Sequence, residues 1–145
     1  MMPAAIMRSI FQNRRASVIV EFAIIGPVLI MLLLGILWTG IQMQKFNALR
    51  SIAADVERYT VVEYQKNNKL GALQIKDVAT SKAVRPPYGL TGDQLDVEVT
   101  QVASPMSGSK AYSLKLTYTP YDDLKGFGVP AIQMRYSQSI YVSDR

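Results

Sequence analysis

The chain contains neither cysteine nor histidine. Their absence removes the thiolate nucleophile, the commonest general base, any disulfide staple, a lipid-bearing cysteine and most transition-metal sites. Basic blocks are missing as well. The formal charge is +5, but Arg8, Arg14 and Arg15 lie ahead of a long apolar run, and beyond Ile41 acids and bases are interspersed. No Lys/Arg cluster interleaved with aromatics offers a surface for nucleic acid. The glycines in Thr91-Gly92-Asp93 and in Lys125-Gly126-Phe127-Gly128-Val129 lack a phosphate-binding spacing. Asp122 and Asp123 are adjacent loop carboxylates without further oxygen ligands, which reads as a solvated turn rather than a cation site. No catalytic, cofactor-binding or metal-binding residue is assigned, and the chain reads as a non-enzyme.

What the sequence has in plenty is an apolar run. From Val18 to Ile41 the sole ionisable residue is Glu21. At about 1.5 Å per residue a helix there is about 36 Å long, enough to cross a hydrocarbon core of about 30 Å with some tilt. Arg8, Arg14 and Arg15 precede it and only Lys45 and Arg50 follow closely, a bias that favours a cytoplasmic N-terminus and an exported C-terminal part. A cleavable secretory signal fits poorly, because the run exceeds a signal's apolar region and no small-x-small site follows at Trp38–Gln42. Gly26-Pro27 interrupts the first half, and Pro27 predicts a kink near residues 23–27.

Past Ile41 the pattern changes to a stripe: Phe46, Leu49, Ile52 with Ala53, Val56 and Tyr59. Steps of three and four predict a continuing amphipathic helix, with Arg50, Glu57 and Arg58 pointing elsewhere. Lys66, Asn67, Asn68, Lys69 and Gly71 signal its end. Residues Gly71–Ala83 permit a short helix, Arg85–Gly89 a loop and Thr91-Gly92-Asp93 a turn. Three alternating strands follow. Leu95, Val97 and Val99 share a face, as do Tyr112, Leu114, Leu116 and Tyr118, and then Met134, Tyr136, Ile140 and Val142, interrupted by Gln138. Ser104–Ser109 makes a hairpin-type loop, and Pro120–Pro130 a longer one in which Phe127 either caps the open end of the sheet or offers an exposed contact to a partner. The expected fold is α+β: a long N-terminal helix, half membrane-spanning and half amphipathic, packed by its C-terminal half on a small antiparallel β-meander. In boundaries this gives a basic leader at 1–16, a transmembrane helix at 17–41, a helical neck at 42–67 and a small sheet head at 68–145.

Glu21 is the odd residue. A charge at mid-bilayer is disfavoured by about 2.5–3.5 kcal/mol on insertion scales. Standing near the start of the span, it also admits a plain reading, a carboxylate at the membrane surface favoured by the positive helix N-terminus. Its neighbours point further. Arg14-Arg15 close the leader, the small pair Ala16-Ser17 follows, and then come Glu21-Phe22, Pro27 and a leucine-rich run ending in Gly35. This segment, R-R-A-S-V-I-V-E-F-A-I-I-G-P-V-L-I-M-L-L-L-G, resembles the N-terminus of TadE-like pseudopilins, minor pilins of the tight-adherence (Tad/Flp) branch of type IV pilus systems. The strands Y-S-L-K-L-T-Y-T-P and I-Q-M-R-Y-S-Q-S-I, with the Leu124 and Phe127 loop between them, are similar to the family's ending.

The resemblance implies a cut by a prepilin peptidase between Ala16 and Ser17, where many members carry glycine in place of Ala16. It further implies that Glu21, beside Phe22, pairs with the new N-terminal ammonium of a neighbouring subunit. The implied partners are the peptidase, other pseudopilins, the major pilin, the inner-membrane assembly platform and the membrane itself, with no cofactor. The implied role is assembly, priming or tip formation of an adhesive pilus, from the bacterial inner membrane. TadE-like and TadF-like membership both stay open. The alternative is a signal-anchored envelope scaffold with a protein-binding periplasmic head, and a third reading is an exported hydrolase using carboxylates such as Asp122.

Overall fold

The computed structural model describes residues 14–120 and 132–143. Most of the leader, Asp122 and Asp123, and the loop with Leu124 and Phe127 lie outside the described residues. The elements are α1 (Arg14–Gln65), α2 (Ala72–Val84), a short 3-10 turn (Gly92–Gln94), β1 (Leu95–Val102), β2 (Ser109–Tyr118) and β3 (Met134–Ser143). The chain divides into two compact units, residues 1–43 and 44–145, and α1 contributes to both.

In the first unit α1 is helical on both sides of Pro27. It is long and apolar enough to cross a membrane. Its large apolar side chains from Val18 to Leu37 are all exposed, and among the described residues nothing covers them. The Thr39 hydroxyl donates to the Gly35 carbonyl over 2.9 Å, which satisfies a polar group inside the segment without outside help.

The second unit is an α+β body. Its strands run in the order β1-β2-β3, antiparallel throughout. The α1 residues Leu49, Ile52, Ala53 and Val56 are fully buried and share a core with Val97, Leu114, Leu116, Tyr118, Ile140 and Val142. Each fully buried Leu, Ile or Val contributes about 1.5–3 kcal/mol. The Phe46 ring meets Tyr136 edge-on at 6.3 Å, and Gln138 Nε2 donates to Glu57 Oε2 over 2.9 Å. That bond explains why an amide can interrupt the apolar face of β3: the helix brings it a carboxylate.

Two expectations about the helix are corrected. Tyr59, read as the end of the stripe, is 38% exposed, and Thr60 is fully buried instead. The buried line follows steps of four, Ile52, Val56, Thr60 and Tyr64, the ridge along which helices pack. Thr60 can enter the core because its hydroxyl donates to the Val56 carbonyl at 2.8 Å. The helix ends where the sequence signals it, but Gly71 is not the residue that closes it. Asn67 takes the left-handed conformation at φ 64°, with Asn68 N–H donating to Glu63 O at 2.9 Å and Asn67 N–H to Tyr64 O at 3.0 Å. This is the double closure of a Schellman end. Gly71 is instead the N-cap of α2, its N–H bonded to the Gln74 side chain at 2.8 Å. Glu63 accepts from Asn68 and Lys66 at 2.7 and 2.9 Å, and these bonds hold its carboxyl below the usual range.

The short helix permitted at Gly71–Ala83 is α2. It packs beside β1 and sends Ile75, Ala79 and Ala83 into the core.

Candidate functional site

The residues singled out at the N-terminus all fall on the first two turns of α1 and the stretch that follows. Arg14, Arg15 and Ala16 are described by their backbone, which is helical. Ser17 lies one turn before Glu21, and its hydroxyl donates to Glu21 Oε1 over a long 3.5 Å. Among the described residues no cation pairs with Glu21. Phe22 is 73% exposed on the same helix. The carboxylate thus projects from an apolar cylinder, with one weak hydroxyl partner among the described residues.

That geometry has a definite chemical content. In water a solvated carboxylate is stable anywhere on a helix surface. Placed against lipid, the same group lacks enough partners to offset its desolvation, and a cation from another molecule would lower the cost most. The four-residue spacing also matters. It sets Ser17, the residue that a cut after Ala16 would make N-terminal, one helical turn below the acid on the same side of the helix. Pro27 stands six residues beyond Glu21, clear of this turn.

The second unit carries polar sites of another kind. A shallow, open cleft is lined by Asp55, Arg58, Tyr59, Val62 and Lys82. Asp55 accepts a 2.7 Å bond from the Tyr88 hydroxyl, which pushes the Tyr88 phenol up to about 12. Lys82 sits 5.6 Å from the centre of the Tyr59 ring. Among the described residues no group of three or more acidic side chains could hold a metal ion. The hydroxyl cluster of Tyr64 and Tyr112, which joins the end of α1 to β2, gave no signal in the sequence beyond two tyrosines at unremarkable positions.

Comparison with known proteins adds one match. The model of a family described as TadE-like protein fits residues 16–58, a stretch that opens at Ala16, includes Glu21, Phe22 and Pro27, and ends in the amphipathic part of α1. No curated protein and no solved structure matches the chain.

Proposed function

We propose that the chain is a TadE-like protein of the tight-adherence (Tad) system, the family whose model fits residues 16–58, and that it acts as a minor pseudopilin in assembly, priming or tip formation of an adhesive pilus. A prepilin peptidase cuts between Ala16 and Ser17 on the cytoplasmic side. The residues that follow form a single-pass membrane anchor, and the sheet-bearing unit lies on the periplasmic side, in line with the arginines that precede the span. Glu21 then meets the ammonium of a neighbouring subunit. The pair removes the penalty of an isolated acid in lipid and fixes the stagger between adjacent helices. The partners of this reading are the peptidase, other pseudopilins, the major pilin and the inner-membrane assembly platform.

One observation carries the reading: the family match begins at the small pair of the cleavage junction and encloses an acid that its own chain leaves exposed on an apolar helix. The test is N-terminal sequencing and intact-mass measurement of the protein from membranes of cells with an active prepilin peptidase. A mature chain beginning at Ser17 is the expected result. A chain that keeps Arg14, Arg15 and Ala16 overturns the proposal in favour of an anchored scaffold.

A further inference from the structure

The sheet has a second face, opposite the core, and the strand register sorts its residues into rows. Asp96 stands beside Thr117 and Arg135; Glu98 beside Lys115 and Ser137; Thr100 beside Ser113 and Ser139; Val102 beside Ala111 and Tyr141. The acids are confined to β1 and the bases to β2 and β3. The middle row carries only short hydroxyl side chains. The last row is apolar, with Val102 and Tyr141 exposed on either side of the buried Ala111, and Met106 exposed on the hairpin beyond. Lys115 is bridged to Glu98 at 3.3 Å.

We propose that this face is where two copies of the chain meet. A twofold axis along β2 through Ser113 lays β1 of one copy over β3 of the other and keeps each row in register with itself. Asp96 then meets Arg135 of the second copy, twice over. Val102 meets Tyr141 of the second copy, and hydroxyls meet hydroxyls. The two Lys115 side chains flank the axis, each neutralised by its own Glu98. Such self-complementarity is what a twofold interface requires. An unrelated partner places no demand for Asp96 and Arg135 to stand in one row on opposite sides of the central strand. Three strands at about 4.8 Å spacing and about 30 Å in length offer only about 400 Å² a side, below the range of stable complexes. The contact is therefore reversible and depends on confinement in a membrane, which raises the effective concentration. It goes beyond the pilus reading and rests on it for the membrane anchor alone, since neither Glu21 nor the cleavage junction takes part.

The chain has no cysteine, so a single introduced thiol reports position without background. The experiment uses the full chain in native membranes with a short bismaleimide. Ser113→Cys, on the axis, couples to a species of twice the chain mass. Ser139→Cys alone does not couple, whereas Thr100→Cys and Ser139→Cys expressed together give a mixed dimer. Arg135→Asp lowers the Ser113→Cys dimer several-fold, and adding Asp96→Arg restores it. The proposal is overturned if Ser113→Cys stays monomeric, if Ser139→Cys couples equally well by itself, if charge reversal changes nothing, or if the product has the mass of a different partner.

Discussion

The hydroxyls of Tyr64 and Tyr112 lie 3.0 Å apart in the interior, and both reach the carbonyl of Leu70, at 2.9 and 3.3 Å. The shorter bond makes Tyr64 the main donor to Leu70, with Tyr112 positioned to donate to Tyr64. Three segments are thereby fastened at one point: the end of α1, the link to α2, and the central strand. Tyr64→Phe and Tyr112→Phe should each cost about 1 kcal/mol, because the remaining hydroxyl still serves the carbonyl. The double variant leaves that carbonyl buried and unpaired and should lose more than the sum. Denaturant unfolding of the four proteins, run as a cycle, measures the excess.

Asn67 closes α1 at positive φ, where a Cβ is strained and asparagine is tolerated through its short polar side chain. Asn67→Gly should preserve or slightly raise stability, and Asn67→Ala should lower it by about 1 kcal/mol. The order Gly, Asn, Ala in unfolding midpoints checks the assignment of the helix end.

Alkaline pH should weaken the second unit through Tyr88. Its phenol is held protonated by the Asp55 carboxylate, with the pKa raised from an ordinary 10.0 to about 12. The folded state therefore keeps a proton that the unfolded chain gives up. This contribution is fully present below pH 10 and fades as pH rises toward 12. Tyr88→Phe should remove that part of the pH dependence. Thermal unfolding of both proteins between pH 9 and pH 12, compared as a difference, isolates it from the other tyrosines and lysines.

Glu21→Gln separates anchoring from assembly. The amide is less costly in lipid than a charge, so membrane insertion should be unchanged or improved. Pairing with an ammonium is lost, so pilus assembly should fail while the protein remains in the membrane fraction. Fractionation and a count of surface pili in the same cells give both readouts. Normal piliation would return Glu21 to the role of a helix-terminal surface acid.

Much of this fold could be read in the residues because periodicity is a direct image of burial. The alternation through Tyr112, Leu114, Leu116 and Tyr118 marked the central strand, and the spacing of Leu49, Ile52 and Val56 marked the face that covers it. Thr60 and Tyr59 exchanged places because a tyrosine offers the larger apolar body to a stripe, whereas a threonine bonded to its own helix fits a tight ridge. Asn67 and Gly71 were both visible as end signals; residue type suggests which positions can turn left-handed, while the actual choice follows from where the last carbonyls need donors. The N-terminal acid was conspicuous in sequence for what surrounds it. Among the described residues it is exposed and held by one long hydroxyl bond, since the group proposed to meet it belongs to another molecule.

The bond from Gln138 back to Glu57 spans 81 positions, and Ile140 and Val142, which help bury the α1 stripe, are synthesised later still. A nascent chain thus carries the bare greasy side of that helix until β3 has been made, and the arrival of that strand lets the unit close. Holding factors that shield such surfaces have their work set by this ordering: they must stay bound until β3 has emerged, and release before it has paired traps the chain in sticky, half-built forms.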